Sequence, residues 1–245
     1  MTPAELGSRL ESRHFKTLTF PEVRRALQAV SEIYVQKRKR LGKGAVFDGA
    51  GKRAAFALFY GPLHYGLTLN VLRELGADAK PRRAVLDLGC GTGVVGGAWA
   101  CHAGAEQITG IDVEGWALKE AAWTYRQLGR AGRTRRGDAS KVSLNGYDAV
   151  CAGFFVNELS DAARDVLLKR LIDASAQGTE VLVLEPISKR IVPWWPEWAQ
   201  AFISAGGRAD EWRFRDPLPD IVSRLDRAAR LDHREQKARS LFISS

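Results

Sequence analysis

The apolar positions of this chain change period along its length. From Phe20 to Leu41, the residues Val23, Leu27, Val30, Ile33 and Tyr34 recur at three- and four-residue steps, which predicts an amphipathic helix. A Gly-rich break, GKGAVFDGAG, follows, and KRAAFALFYGPLHYGLTLNVLRELG then carries two more helical patterns. These are expected to hinge at Gly61-Pro62, because a proline biases the residue before it away from helical dihedrals. Residues 1–80 therefore read as an N-terminal helical cap.

After DAKPRR the pattern shifts to short apolar runs alternating with helical ones. AVLDLG (84–89), QITGID (107–112), YDAVCAGFF (147–155) and EVLVLEP (180–186) are predicted strands, and TRRGD (134–138) the end of a weaker one. VVGGAWACHAG, GWALKEAAWTYRQLG, residues 161–176 and residues 194–205 read as the intervening helices. RADEWRF (208–214) and RSLFIS (239–244) are expected to pair as terminal strands around a helical DIVSRLDRAARL. Such alternation implies right-handed crossovers and a doubly wound, mainly parallel α/β sheet covered on both faces, occupying residues 81–245.

The first strand-to-helix turn carries the densest chemistry. In AVLDLGCGTGVVGG, Gly91, Gly93 and Gly96 spell G-x-G-x-x-G, the spacing of a dinucleotide pyrophosphate loop, while Asp87 with Gly89, Gly91 and Gly93 spells D-x-G-x-G-x-G. Either loop presents backbone amides and a helix N-terminus to a ligand lying across the strand ends. The two differ in charge. Asp87 is expected to point into the crevice, where a carboxylate repels a pyrophosphate but suits S-adenosylmethionine, which carries an ammonium and a sulfonium. A dinucleotide oxidoreductase stays open on the other register.

Two further acids fall at strand ends. Asp112 closes the second strand, where an acid accepts from both ribose hydroxyls, a feature shared with NAD-binding folds. Asp138, in RRGDAS, is placed to accept from an adenine amino group while the backbone of Ala139 reads the ring nitrogen, or it is a plain turn aspartate.

With these residues in view, the chain resembles the class I S-adenosylmethionine-dependent methyltransferases: VLDLGCGTG, ITGID, GDA and YDAVCAGFF match their successive motifs over about residues 82–186. The resemblance implies a seven-stranded Rossmann-like methyltransferase sheet. It places Asp87, Gly89, Gly91 and Gly93 at the methionine end of the cofactor, Asp112 at the ribose, Asp138 and Ala139 at the adenine, and Phe154 beside the sulfonium, with Cys90 and Val113 as further cofactor-binding residues. More loosely, AVFDGAGKRAAFALFYGPLHYGLTLNVLRELG and FFVNELSDAARDVLLKRLIDASAQGTEVLVLEP are similar to the methyltransferase-like family associated with the mitochondrial small ribosomal subunit and its bacterial relatives. That family commonly carries a cysteine cluster suited to an iron–sulfur site, whereas Cys90, Cys101 and Cys151 are too few and too scattered for four ligands.

The acceptor side is less explicit. GFFVNELS follows the fourth strand and lacks the N-P-P-Y or D-P-P-Y pattern of amino-methylating enzymes. Asn157 and Glu158 are candidates to orient or deprotonate an acceptor, and equally a cap and first-turn pair. His64, with Tyr60 and Tyr65 on one side of the expected broken helix, is either an acceptor-site residue or a packing histidine. Trp194, Trp195 and Trp198 either stack on an aromatic acceptor or anchor the last helix.

Charge bears on the partner. Thirty-seven Lys and Arg against 28 Asp and Glu give +9, clustered in QKRKRLGK (36–43), RQLGRAGRTRR (126–136) and DHREQKAR (232–239). RNA or the ribosome is the first candidate, and a merely solvated basic face the alternative. No stretch of about 18 apolar residues predicts a membrane span, the N-terminus lacks a secretory pattern, and no metal-ligand cluster is spelled, so a cytoplasmic, reducing setting is expected. Three functions follow as expectations: a methyltransferase acting on rRNA or a ribosome-associated protein, a small-molecule methyltransferase, and a non-catalytic assembly factor that binds S-adenosylmethionine.

Overall fold

The computed structural model describes residues 1–36, 47–77 and 82–244. All of QKRKRLGK except Gln36 lies outside these residues, as do 37–41 of the helix expected over 20–41 and most of DAKPRR. The contacts divide the chain into two units, Met1–Gly66 with Arg215–Glu235, and Leu67–Phe214 with Gln236–Ser245.

The first unit is helical. α1 (Pro3–His14) opens on a reciprocal cap: the Thr2 hydroxyl accepts from the Glu5 amide at 3.2 Å and the Glu5 carboxylate from the Thr2 amide at 2.7 Å. α2 (Phe20–Gln36) and α8 (Asp220–Ala229) complete the packing, burying Leu6, Leu10, Val23, Leu27, Ile221 and Leu225. Gly7 permits close approach of α1 to α8, since a Cβ there would stand 2.9 Å from Ile221. Arg224 fastens α8 by pairing with Glu11 at 2.8 Å and lying 5.2 Å over the Phe20 ring.

Three sequence expectations change here. The segment around α8, assigned with residues 81–245, packs with the N-terminal helices because its apolar stripe is buried against α1 and α2. The boundary between units falls inside α3 (Ala50–Leu75) instead of at residue 80. That helix is also unbroken through Pro62. A proline inside a helix gives up one backbone hydrogen bond and crowds the carbonyl four residues back, but its clash with the Cβ of the preceding residue is absent here because Gly61 has none.

The second unit holds a seven-stranded sheet in the order β3-β2-β1-β4-β5-β7-β6. Its strands are β1 (Ala84–Leu88), β2 (Gln107–Asp112), β3 (Ala131–Arg136), β4 (Ala149–Gly153), β5 (Glu180–Glu185), β6 (Arg208–Phe214) and β7 (Gln236–Ile243). β1 to β5 are parallel and β7 lies antiparallel between β5 and β6. The order reverses between β1 and β4, which opens a crevice at their carboxyl ends. α4 (Val94–His102), α5 (Gly115–Gln127), α6 (Asp161–Ala176) and α7 (Trp195–Ser204) form the crossovers. One core joins Leu86, Leu88, Val150, Val181 and Leu241 to Leu167 and Leu171 of α6 and to Trp195, Trp198 and Phe202 of α7. The tryptophans at 195 and 198 thus anchor the helix, the second of the roles considered for them.

Candidate active site

Backbone geometry separates the two glycine registers. Gly89, Gly91 and Gly93 have φ of 62, 50 and 77°, the left-handed region that favours glycine, whereas Gly96 is an ordinary helical residue of α4. Gly96 has a packing role: a Cβ there would fall 2.6 Å from the Asp87 side chain. The turn itself is therefore built by the D-x-G-x-G-x-G set. Gly91 faces open space, with nothing within 4 Å of its missing Cβ, while a Cβ at Gly89 would meet the Phe155 ring at 2.1 Å.

The loop hangs from the end of β2. Asp112 accepts from the Gly91 amide through Oδ2 and from the Glu114 amide through Oδ1, both at 2.9 Å. A carboxylate offers about four acceptor positions, so two stay available on this half-exposed group, enough for a vicinal diol. Val113, beside it, is 42% exposed, an apolar surface at the crevice lip. These features fit the ribose and adenine of S-adenosylmethionine, and the open face of Gly91 fits close passage of the ligand.

Asp87 does not project into the crevice as the sequence suggested. It is 1% exposed, and its Oδ2 accepts from the Gly96 amide at 3.1 Å and the Tyr125 hydroxyl at 3.2 Å, with the Cys151 thiol 3.5 Å from Oδ1. Burial pushes its carboxyl up to about 7, against the lowering effect of those donors. The charge that was to repel a pyrophosphate is therefore half-neutralised near pH 7, and Asp87 acts by tying α4 to β1.

Sequence reasoning missed Tyr125 of α5, which is fully buried. A Cβ at Gly93, Gly110 or Gly132 would lie 2.7, 2.6 or 2.4 Å from its side chain, so a loop, β2 and β3 all make room for one ring. Isolated glycines inside two strand patterns were the available signal. Cys90 is buried against the same tyrosine and Gly110, and burial with the nearby Asp87 and Asp112 charges pushes its thiol up, so only its backbone borders the loop.

Asp138 is engaged locally: Oδ1 accepts from the Ser140 hydroxyl at 2.6 Å and amide at 3.1 Å, and Lys141 stands 3.2 Å from Oδ2. The Ser140 hydroxyl holds its carboxyl below the usual carboxylate range. Ala139 is buried next to it. This is the geometry of the turn aspartate, and the exposed carboxylate retains acceptor capacity.

At the end of β4 the backbone is strained. Phe154 has φ of 56°, rare for a bulky residue, and its amide donates to Leu184 at 2.7 Å. A single 3-10 turn, Val156–Glu158, follows. Asn157 donates to the buried Glu185 twice, from its backbone at 3.1 Å and its side chain at 2.5 Å. Glu185, at the end of β5, is a second residue the sequence reading missed; an acid closing a run of four apolar residues was its signal. Glu158 is exposed on the same turn. His64 belongs to the helical unit, where its ring lies 5.6 Å from that of Tyr60, while Tyr65 is buried and donates to the Met1 carbonyl at 3.1 Å.

A shallow hollow of about 230 Å³ between Arg83, Tyr147, Asp148 and Thr179 lies at the opposite ends of the strands. Among the described residues no group of three His, Cys, Asp or Glu could hold a metal ion, and no helix is long and apolar enough to cross a membrane.

Comparison with known proteins bears on this geometry. Residues 85–178, which span β1 to α6, match the family model of a methyltransferase domain. No curated protein sequence matches the chain. Among solved structures, a Pyrococcus horikoshii protein described provisionally as an RNA methyltransferase is similar at 13% identity and TM-score 0.51, covering 90% of this chain and 98% of its own. A Nostoc punctiforme protein described provisionally as an O-methyltransferase is similar at 18% identity and TM-score 0.52, with 90% and 69% covered. Both likenesses extend the fold beyond the matched segment. Residues 85–178 are a class I S-adenosylmethionine-dependent methyltransferase domain.

Proposed function

We propose that this chain transfers a methyl group from S-adenosylmethionine to RNA, with rRNA the first candidate. The cofactor end of this reading is carried by one observation, the Asp112 carboxylate that fixes the Gly91 amide and keeps two acceptor positions for ribose hydroxyls. Gly91 admits the methionine end on a turn shaped by Gly89 and Gly93, Asp138 and Ala139 border the adenine with Val113 beside the nucleoside, and Phe154 stands on the sulfonium side. Bound S-adenosylmethionine supplies the electrophilic methyl group. The protein's share is orientation, because an in-line displacement gains most from placing the acceptor atom. Asn157, held by Glu185, and the exposed Glu158 form the acceptor wall, with Glu158 the group to take a proton from an acceptor that must lose one. The acceptor end is supported by the +9 charge and its clustering, which suit a polyanion.

Incubating the protein and methyl-labelled cofactor with RNA, protein and metabolite fractions of cells lacking it tests this. Label in rRNA is expected. Label in a ribosomal protein or in a small molecule replaces RNA as the acceptor, and no label in any fraction, with binding of the cofactor intact, identifies a binding module without turnover.

A further inference from the structure

β3 is an edge strand whose two faces are unequal. The ring of Tyr125 sits over Gly132, so even-numbered positions face α5 and Arg133 and Arg135 project from the opposite face. On that face their partners in β2 are Thr109 and Ile111. The loop after β3 covers Ile111 with Ala139 and Leu144, and Arg170 of α6 pins this loop by donating to the carbonyls of Ser140 and Val142. Apart from Thr134, every β3 residue is exposed.

The charge along this edge has one sign. Residues 126–136 hold five arginines and no acid. Arg130 and Arg136 donate to the carbonyls of Ala105 and Val113, at 3.0 Å each, and so keep their charge unpaired. Among the described residues no carboxylate pairs with Arg126, Arg133 or Arg135. Arg136 is in register with Asp112, so the row ends at the lip of the crevice. Edge strands often carry charges to prevent pairing with another sheet, but that purpose is served by either sign and by lysine.

We propose that the β3 edge is an RNA-docking track, with Arg133 and Arg135 each gripping a phosphate and Arg136 bringing the strand to the crevice lip. Alternate residues of a strand repeat at about 6.6 Å, comparable with the spacing of neighbouring phosphates, and the guanidinium fork matches their oxygens. An anionic membrane would need apolar side chains entering beside the arginines; among the described residues the exposed large apolar ones are Val113, Val166 and Ile203, and of these Val113 alone stands next to β3. The track rests on the RNA-acceptor reading for its purpose, though not for its chemistry.

Fluorescence anisotropy of a labelled 20-nucleotide single-stranded RNA across a salt series tests the track in the full chain. Arg133→Glu with Arg135→Glu is expected to weaken binding at least tenfold and to lower the slope of log affinity against log salt by about 1.4, the loss of two single-strand phosphate contacts. Arg208→Glu with Arg213→Glu makes the same charge change on β6, the other edge strand, and is expected to weaken binding less than threefold. Arg133→Ala with Arg135→Ala replaces the reversal pair if that pair melts lower than the wild type, and is expected to weaken binding severalfold. Equal losses from the β3 and β6 pairs, or no RNA binding by the wild type, overturn the track. RNA binding that depends on β3, together with label in a small molecule, overturns the RNA-acceptor reading and leaves the track standing.

Discussion

The Tyr125 hydroxyl donates to Oδ2 of Asp87 at 3.2 Å, joining α5 to the strand that precedes the cofactor loop. Both groups are fully enclosed, and burial pushes the Asp87 carboxyl up to about 7. Between about pH 4 and pH 7 the native state then binds a proton that the unfolded chain has released. The stability this residue contributes is full below about pH 4, falls as pH rises through that window and is level above it, with on the order of 4 kcal/mol as its upper bound. Asp138, held low by Ser140, acts in the opposite sense, so the comparison must isolate Asp87. Asp87→Asn keeps an acceptor for Gly96 and Tyr125, and chemical denaturation should show it gaining stability relative to the wild type from pH 5 to pH 8. A constant difference across that range would contradict the buried carboxyl.

Phe154 stores backbone strain of about 1–2 kcal/mol. Phe154→Ala and Phe154→Gly lose the same ring, but glycine accepts φ of 56° without a Cβ penalty. Urea titrations should find the glycine variant the more stable by about 1 kcal/mol, against glycine's usual disadvantage. An alanine variant of equal or greater stability would mean that the backbone there is not strained.

The sheet was legible because its strands are short apolar runs bounded by turn residues, and β2 and β6 match their expected limits. α1 escaped notice although Thr2, Pro3 and Glu5 spell its cap. The helix break at Gly61-Pro62 failed on a local detail, the missing Cβ of glycine. Asp112 could be read from its distance to Gly91. The inward turn of Asp87 could not, because it depends on Tyr125 arriving from α5, 38 residues away. Asn157 could be named as a candidate, yet its partner Glu185 sits on another strand and the pairing exists only in three dimensions.

That pairing makes Asn157 sensitive to charge. Asn157→Ala removes one donor from a buried carboxylate and should cost about 1–3 kcal/mol. Asn157→Asp sets a second carboxylate at hydrogen-bond distance and should cost more at pH 8 than at pH 5, where one proton can be shared. Thermal melts at the two pH values check this; an aspartate variant indifferent to pH would place Glu185 and Asn157 apart.

Gly132→Ala directs a methyl group into the Tyr125 side chain, 2.4 Å from its Cβ and 2.5 Å from the ring. It should lower the melting temperature by several degrees and weaken cofactor binding, since Tyr125 also packs on Gly93. Gly129→Ala, with nothing near its Cβ but φ of 68°, separates backbone strain from the clash and should leave the cofactor affinity unchanged.

Calorimetric titration of the wild type and Asp112→Ala with S-adenosylmethionine and S-adenosylhomocysteine tests the cofactor site most directly. Both ligands carry the same ribose, so the variant should bind both about 10- to 100-fold more weakly, from the loss of charged hydrogen bonds and the release of Gly91. Unchanged affinity for either ligand, in a variant that melts cooperatively, would contradict the assignment of Asp112 and with it the placement of the cofactor.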